Sequence, residues 1–234
     1  MKEFDPFGWL ENFFSAHFLH RLIRIGIIVI LIIFLVHRIS LYRYYLVKPL
    51  WVTETLIYVV FLVSYAIRID PIERSRGLKE IIIPLIGGVL PFALLSSPPN
   101  PLMDGNWLII YIIFYWMTAA MALTIWSLWT LRYSFSITVE ARALITNGPY
   151  RWIRHPVYLG EILSALAVTI WRFSVLNIVI FTLFVIIQLL RARWEEAKLS
   201  RVFAAYSIYA ACVIWIWPYK KPSGYRFPIL SFFV

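Results

Sequence analysis

The chain has 234 residues, of which 62% are hydrophobic and only 15% charged, with a net charge of +10. That balance excludes an ordinary soluble domain and points to the bilayer, with room for one membrane domain and no separate soluble one. The basic residues lie between apolar runs and not on one soluble face, so they read as membrane-surface charge and not as a nucleic-acid footprint.

Residues 1–20 carry Phe4, Phe7, Trp9, Phe13, Phe14 and Phe18 among polar residues. This is the pattern of an interfacial helix at the headgroups, and no small-residue cleavage site marks it as a signal peptide. Six apolar runs follow, near 21–37, 50–68, 79–95, 107–131, 156–171 and 174–191. A spanning helix needs about 20 apolar residues, so the fourth run is comfortably long and the fifth and sixth are short. Pro84, Gly87, Gly88 and Pro91 interrupt the third, which is expected to kink or break. Only Trp171, Arg172 and Phe173 separate the last two runs, which predicts a tight helical hairpin. The expected fold class is all-α: a polytopic membrane helical bundle of about five to six transmembrane helices.

Loop charges give the expected orientation. With the N-terminus cytoplasmic, every Lys and Arg except Arg38, Arg43, Lys48 and Arg172 falls on the cytoplasmic side, and the loop Ser96–Asp104 holds no positive charge. The asymmetry favours cytoplasmic N- and C-termini and places a C-terminal helix at that face. The Trp and Tyr residues read as interface belts and helix packing. Cys212, the lone cysteine, excludes an internal disulfide and reads as a buried packing residue. Four scattered histidines (His17, His20, His37 and His155) without cysteine partners give no metal-ligand spacing.

Two polar clusters bracket the predicted hairpin. The first runs from Gly148 through Arg151, Arg154, His155, Pro156 and Tyr158 to Gly160. Pro156 suits the first turn of a helix, whose free N–H groups favour an anion. Gly160 leaves room for a ligand or a neighbouring helix, and Glu161 at that depth is costly unless paired or wet. The second cluster begins at Arg191, with Glu195 one helical turn on and Glu196 beside it, and that helix is expected to continue through Tyr206 and Tyr209. A hairpin would bring His155 and Tyr158 close to Arg191 and Glu195. From residues alone, Arg151, Arg154 and Arg193 read equally as positive-inside anchors, and Arg191 with Glu195 as a surface pair.

The segment Leu144–Tyr150, followed by Arg154-His155-Pro156-Val157-Tyr158-Leu159-Gly160, resembles the isoprenylcysteine carboxyl methyltransferase family and its phospholipid methyltransferase relatives. In that family an RHPxYxG element precedes a helical hairpin and an R-x-x-x-E-E-x-x-L element, which here runs from Arg191 through Glu195 and Glu196 to Leu199. The resemblance covers residues 135–218. It implies an integral membrane methyltransferase that uses S-adenosylmethionine and acts on a lipophilic small molecule or membrane lipid, with no nucleic acid and no obligate protein partner. It also implies that residues 1–134 supply N-terminal membrane helices and residues 135–234 the methyltransferase-like core. By resemblance Arg142, Ala143, Leu144, Ile145, Tyr150, His155, Pro156, Val157, Tyr158 and Glu195 would contact the cofactor. Arg191 would hold the methyl acceptor, so Arg191 and Glu195 are the candidate catalytic pair. The family's Phe-Gly-x-x-Tyr-x-x-Tyr segment is echoed by Phe203–Tyr209 without the glycine, and the stretch Ala210–Trp215 is apolar enough to re-enter the membrane or pack against it. Two rival readings are a sterol-reductase-like enzyme using NADPH, which shares an RHP-type motif, and a non-enzymatic lipid-binding membrane protein.

Overall fold

In hydrocarbon every backbone N–H and C=O has to find its partner within the chain, so the apolar runs fold as helices. The computed structural model describes residue 9, residues 13–75 and residues 77–216. Most of the aromatic segment over residues 1–20 lies outside the described residues. Within them are seven helices and no strand: α1 (Ala16–Ser40), α2 (Lys48–Ile67), α3 (Gly77–Ala93), α4 (Trp107–Leu131), α5 (Pro156–Trp171), α6 (Val175–Val202) and α7 (Tyr206–Cys212).

Helices α2, α3, α4 and α6, the middle two with their 3-10 extensions, are long and apolar enough to cross a membrane, and α5 is apolar but only 16 residues long. The 25 residues of α1 carry exposed Ile25, Val29, Ile30, Ile33 and Phe34, a surface suited to lipid. The chain is therefore an all-α membrane bundle.

Four local features depart from the expected elements. Helix α3 runs unbroken through Pro84 and Pro91. Pro84 has no N–H for the Glu80 carbonyl four residues back, and that carbonyl instead accepts from the Val139 amide at 3.2 Å. The proline thus ties α3 to the loop after α4. Helix α6 is not short: it spans 28 residues and carries the second polar cluster as its last turns. It does not continue to Tyr209, because Phe203 is extended (φ −119°, ψ 107°) and α7 begins afresh at Tyr206. The break turns the chain back, and the Tyr209 hydroxyl donates to the Tyr150 carbonyl at 2.8 Å. Finally, Cys212, the last residue of α7, is exposed and not a packing residue.

Packing follows an open arc: α1 lies on α2, α2 on α4, α4 on α5, α5 on α6 and α6 on α3. The closest of these approaches is α4 to α5, at Gly160. A Cβ there would lie 2.9 Å from the Ala120 carbonyl and 3.1 Å from the Thr124 amide, so the missing side chain serves a neighbouring helix. Helix α3 makes no extensive contact with α1 or α2, which leaves a cleft on that side. One end of the bundle is pinned by a half-buried Arg38–Glu54 ion pair, by the Tyr45 hydroxyl on Glu54 and by Ser97, Ser174 and Asn177. The other end holds the loops around residues 68–75, 132–155 and 203–216.

Candidate functional site

Helix α5 starts where the sequence predicts, with Pro156 in its first turn and His155 as the residue before it. The turn ahead of it needs Gly148: its φ is +56°, and a Cβ would meet the Thr130 hydroxyl at 2.6 Å. Ser174 caps α6 by accepting from the Asn177 amide at 3.1 Å, closing the hairpin in three residues. The start of α5 therefore faces the far end of α6.

His155 is 5% exposed and sits between two adjacent carboxylates. Its Nε2 lies 3.2 Å from Glu196 Oε1 and its Nδ1 3.8 Å from Glu195 Oε2. The Tyr158 hydroxyl donates to Glu195. One turn apart on α5, the rings of His155 and Tyr158 stack at 5.5 Å with 9° between their planes, and Trp215 meets His155 edge-on. Arg154 is no simple surface anchor: Nη1 donates to Glu196 Oε1 at 2.9 Å and Nε to the Val213 carbonyl at 3.1 Å.

Arg191 is 6% exposed, and its guanidinium lies over the Tyr158 ring at 4.8 Å. Its fork is held from behind, with Nη1 donating to Gln188 Oε1 at 2.9 Å and Nη2 to the Ile137 carbonyl at 3.0 Å. The Gln188 amide in turn donates to Glu161 on α5. The expected Arg191–Glu195 surface pair is thus a buried arrangement in which each residue faces a different side of Tyr158.

The loop after α4 is fixed by backbone pairing between Glu73 and Ala141 and by Lys198, whose buried Nζ donates to Glu80 Oε2 at 2.7 Å and to the carbonyls of Arg74 and Val139 at 2.9 Å. Arg142 is buried there and donates to Glu140, which also accepts from the Ser136 hydroxyl at 2.8 Å. Burial lowers the proton affinity of the Arg142 guanidinium, and Glu140 opposes that shift.

These pieces enclose one cavity of about 780 Å³. At its polar end are Tyr150, His155, Tyr158, Glu161, Arg191 and Glu195. Arg142, Ala143, Leu144, Ile145 and Val157 also line it, whereas Pro156 is buried outside the lining and serves the helix start. The apolar end runs into the open side of the arc, between Ile30 and Phe34 of α1, Ile57 and Phe61 of α2, and Val89 and Phe92 of α3. Ile30, Phe34, Val89 and Phe92 are exposed, so the cleft opens sideways.

Residues 102–206 match the family model of phospholipid methyltransferases. The matched stretch covers just under half of the chain. No curated protein matches the chain. That stretch takes in α4, the loop bearing Arg142, the hairpin and the start of α7, and leaves α1–α3 outside it.

Three parts of the site escape a reading by motif. Gln188 lies inside an apolar run, and the Ile137 carbonyl belongs to the backbone and carries no residue signature. The Val213–Ile216 stretch is a short apolar segment that carries no motif. It pairs with the motif loop, Arg154 N to the Ile214 carbonyl at 2.8 Å and Ile214 N to the Trp152 carbonyl at 3.1 Å. The two tyrosines of α7 face the same place, Tyr206 toward the Arg154–Glu196 pair and Tyr209 on Tyr150. Burial raises both phenols above their ordinary value.

Proposed function

We propose that this chain, much of which matches the phospholipid methyltransferase family model, transfers a methyl group from S-adenosylmethionine to a lipophilic acceptor. The observation that carries the reading is the continuity of one cavity, polar around His155, Tyr158 and Glu195 and apolar in a cleft open to the lipid side.

The residues present fit such a cofactor. Its charges need an anion site and a cation site. The N–H groups of Val157 and Tyr158 precede the first intrahelical bond of α5, from the Leu159 amide to the His155 carbonyl, and are available to a carboxylate. The Glu195 carboxylate, which faces the cavity beside His155 and Tyr158, suits a positive centre. Tyr150 and the Arg142–Ile145 loop would wall the remainder. When bound, S-adenosylmethionine supplies an already activated methyl group.

The chain's own part is then alignment and exclusion of water. Arg191, fixed over Tyr158, would hold the acceptor head between the cofactor side and the apolar cleft. A carboxylate acceptor is ionised at neutral pH and needs no base. For an amine acceptor Glu195 would take the proton, because Glu196 is engaged by Arg154 and His155. The tail of the acceptor would lie between α1, α2 and α3, so residues 1–134 would serve lipid binding and residues 135–234 the methyl transfer. The site end of the bundle carries Arg68, Arg74, Arg151, Arg154 and Arg193, which supports a cytoplasmic site with cytoplasmic termini.

The test is transfer of a labelled methyl group from S-adenosylmethionine into a total lipid and peptide extract by the purified protein. Label in an organic-soluble product is expected. A folded protein that labels nothing, or one that is stabilised by NADPH and not by S-adenosylmethionine, would overturn the reading.

A further inference from the structure

Arg191 is held by a chain of side chains that do not all reach the cavity. Gln188 precedes it by three residues on α6, so the two share a helix face. Gln188 is 1% exposed and does not line the cavity, whereas Arg191 and Glu161 do. The amide has two chemically distinct ends. Its NH2 end donates to Glu161 Oε2 on α5, and its carbonyl end accepts from Arg191 Nη1 at 2.9 Å. A reversed amide would set its NH2 against the guanidinium, donor to donor, and leave the Glu161 carboxylate facing a carbonyl.

We propose that Gln188 is a positioning residue for methyl transfer: it sets the plane of the Arg191 guanidinium, and Glu161 acts through it by fixing which end of the amide Arg191 meets. The inference rests on the methyltransferase reading above. Two further contacts complete the clamp, the Ile137 carbonyl at 3.0 Å from Nη2 and the Tyr158 ring at 4.8 Å from the guanidinium carbon. A planar guanidinium held at one nitrogen can still swing; held at both terminal nitrogens and on one face it cannot. The clamp lies on the α5–α6 hairpin, on rigid elements and not on a loop, as an aligned acceptor requires.

Steady-state kinetics with labelled S-adenosylmethionine, together with calorimetry of S-adenosylhomocysteine, test it. Gln188→Met keeps volume and removes both hydrogen bonds. It should lower kcat about 10- to 100-fold, the usual cost of losing a buried partner of a functional group, while cofactor Kd and acceptor KM stay within about threefold. Glu161→Gln still offers an oxygen to Gln188 and should cost less than Gln188→Met. The double variant should be no slower than Gln188→Met alone, because the relay is already cut.

Wild-type kcat in Gln188→Met overturns the proposal and leaves the methyltransferase reading standing. A larger loss in Glu161→Gln than in Gln188→Met also overturns it, and makes Glu161 a group that meets the acceptor directly. If Gln188→Met does not fold, Glu161→Ala, which frees the NH2 end, carries the same test: a fall in kcat with cofactor affinity kept supports the relay, and unchanged kcat overturns it. Wild-type protein that binds no S-adenosylhomocysteine overturns the functional reading, and this inference with it.

Discussion

His155 and Glu196 meet across the α5–α6 hairpin, Nε2 to Oε1 at 3.2 Å, 41 residues apart in sequence. The same Glu196 oxygen accepts from Arg154 at 2.9 Å. One carboxylate therefore holds both the residue before the helix start and the loop that leads into it. Glu196→Ala should free the imidazole on that side and weaken S-adenosylhomocysteine binding by about tenfold, in line with the 1–3 kcal/mol cost of stranding a buried partner. Glu196→Gln, which still accepts, should lose less. Calorimetry on detergent-purified protein measures both.

Gly160 makes the α4–α5 contact possible. Gly160→Val would drive its side chain against the Ala120 carbonyl and the Thr124 amide. The two helices would have to separate, at a cost of about 1–3 kcal/mol for overpacking. A lower midpoint in a detergent melt, with weaker cofactor binding because α5 moves, is the expected result.

Much of this was legible in the chain. Hydrophobic runs give helix positions directly, because bilayer length and backbone satisfaction leave few alternatives. The His155–Tyr158 and Arg191–Glu196 clusters announce themselves as polar groups at the ends of apolar runs. What was not legible depends on contacts distant in sequence. Nothing in Phe203 signals that α6 stops there, since the stop is set by Tyr209 reaching back to Tyr150. Pro84 marks a disturbed helix, but only the Val139 amide shows how the freed carbonyl is used. Gln188 is an ordinary residue in a helix until Glu161 and Arg191 stand on either side of it.

Lys198 should matter to stability more than its surface-like sequence context implies. It is 1% exposed and joins Glu80 on α3 to the carbonyls of Arg74 and Val139. Lys198→Met removes this buried cation from Glu80 and the two carbonyls, at a cost of about 3–5 kcal/mol for a broken buried pair. Thermal unfolding should show a large loss, and the Lys198→Met/Glu80→Gln double variant should recover part of it.

Gly88 lines the apolar cleft and has nothing within 4 Å of an added Cβ. Gly88→Phe should therefore fold and fill the cleft. Acceptors with long chains should show a raised KM, and water-soluble truncated acceptors should not. Equal effects on both would argue that the tail lies elsewhere.

The measurement closest to the central claim is calorimetric titration of S-adenosylhomocysteine into the intact detergent-solubilised protein, repeated with His155→Ala and Glu195→Ala. Saturable binding to the wild type, weakened in both variants while their melts show folded protein, is the predicted result. Absence of binding to the wild type, or equal binding by all three proteins, would contradict the placement of a cofactor between His155, Tyr158 and Glu195.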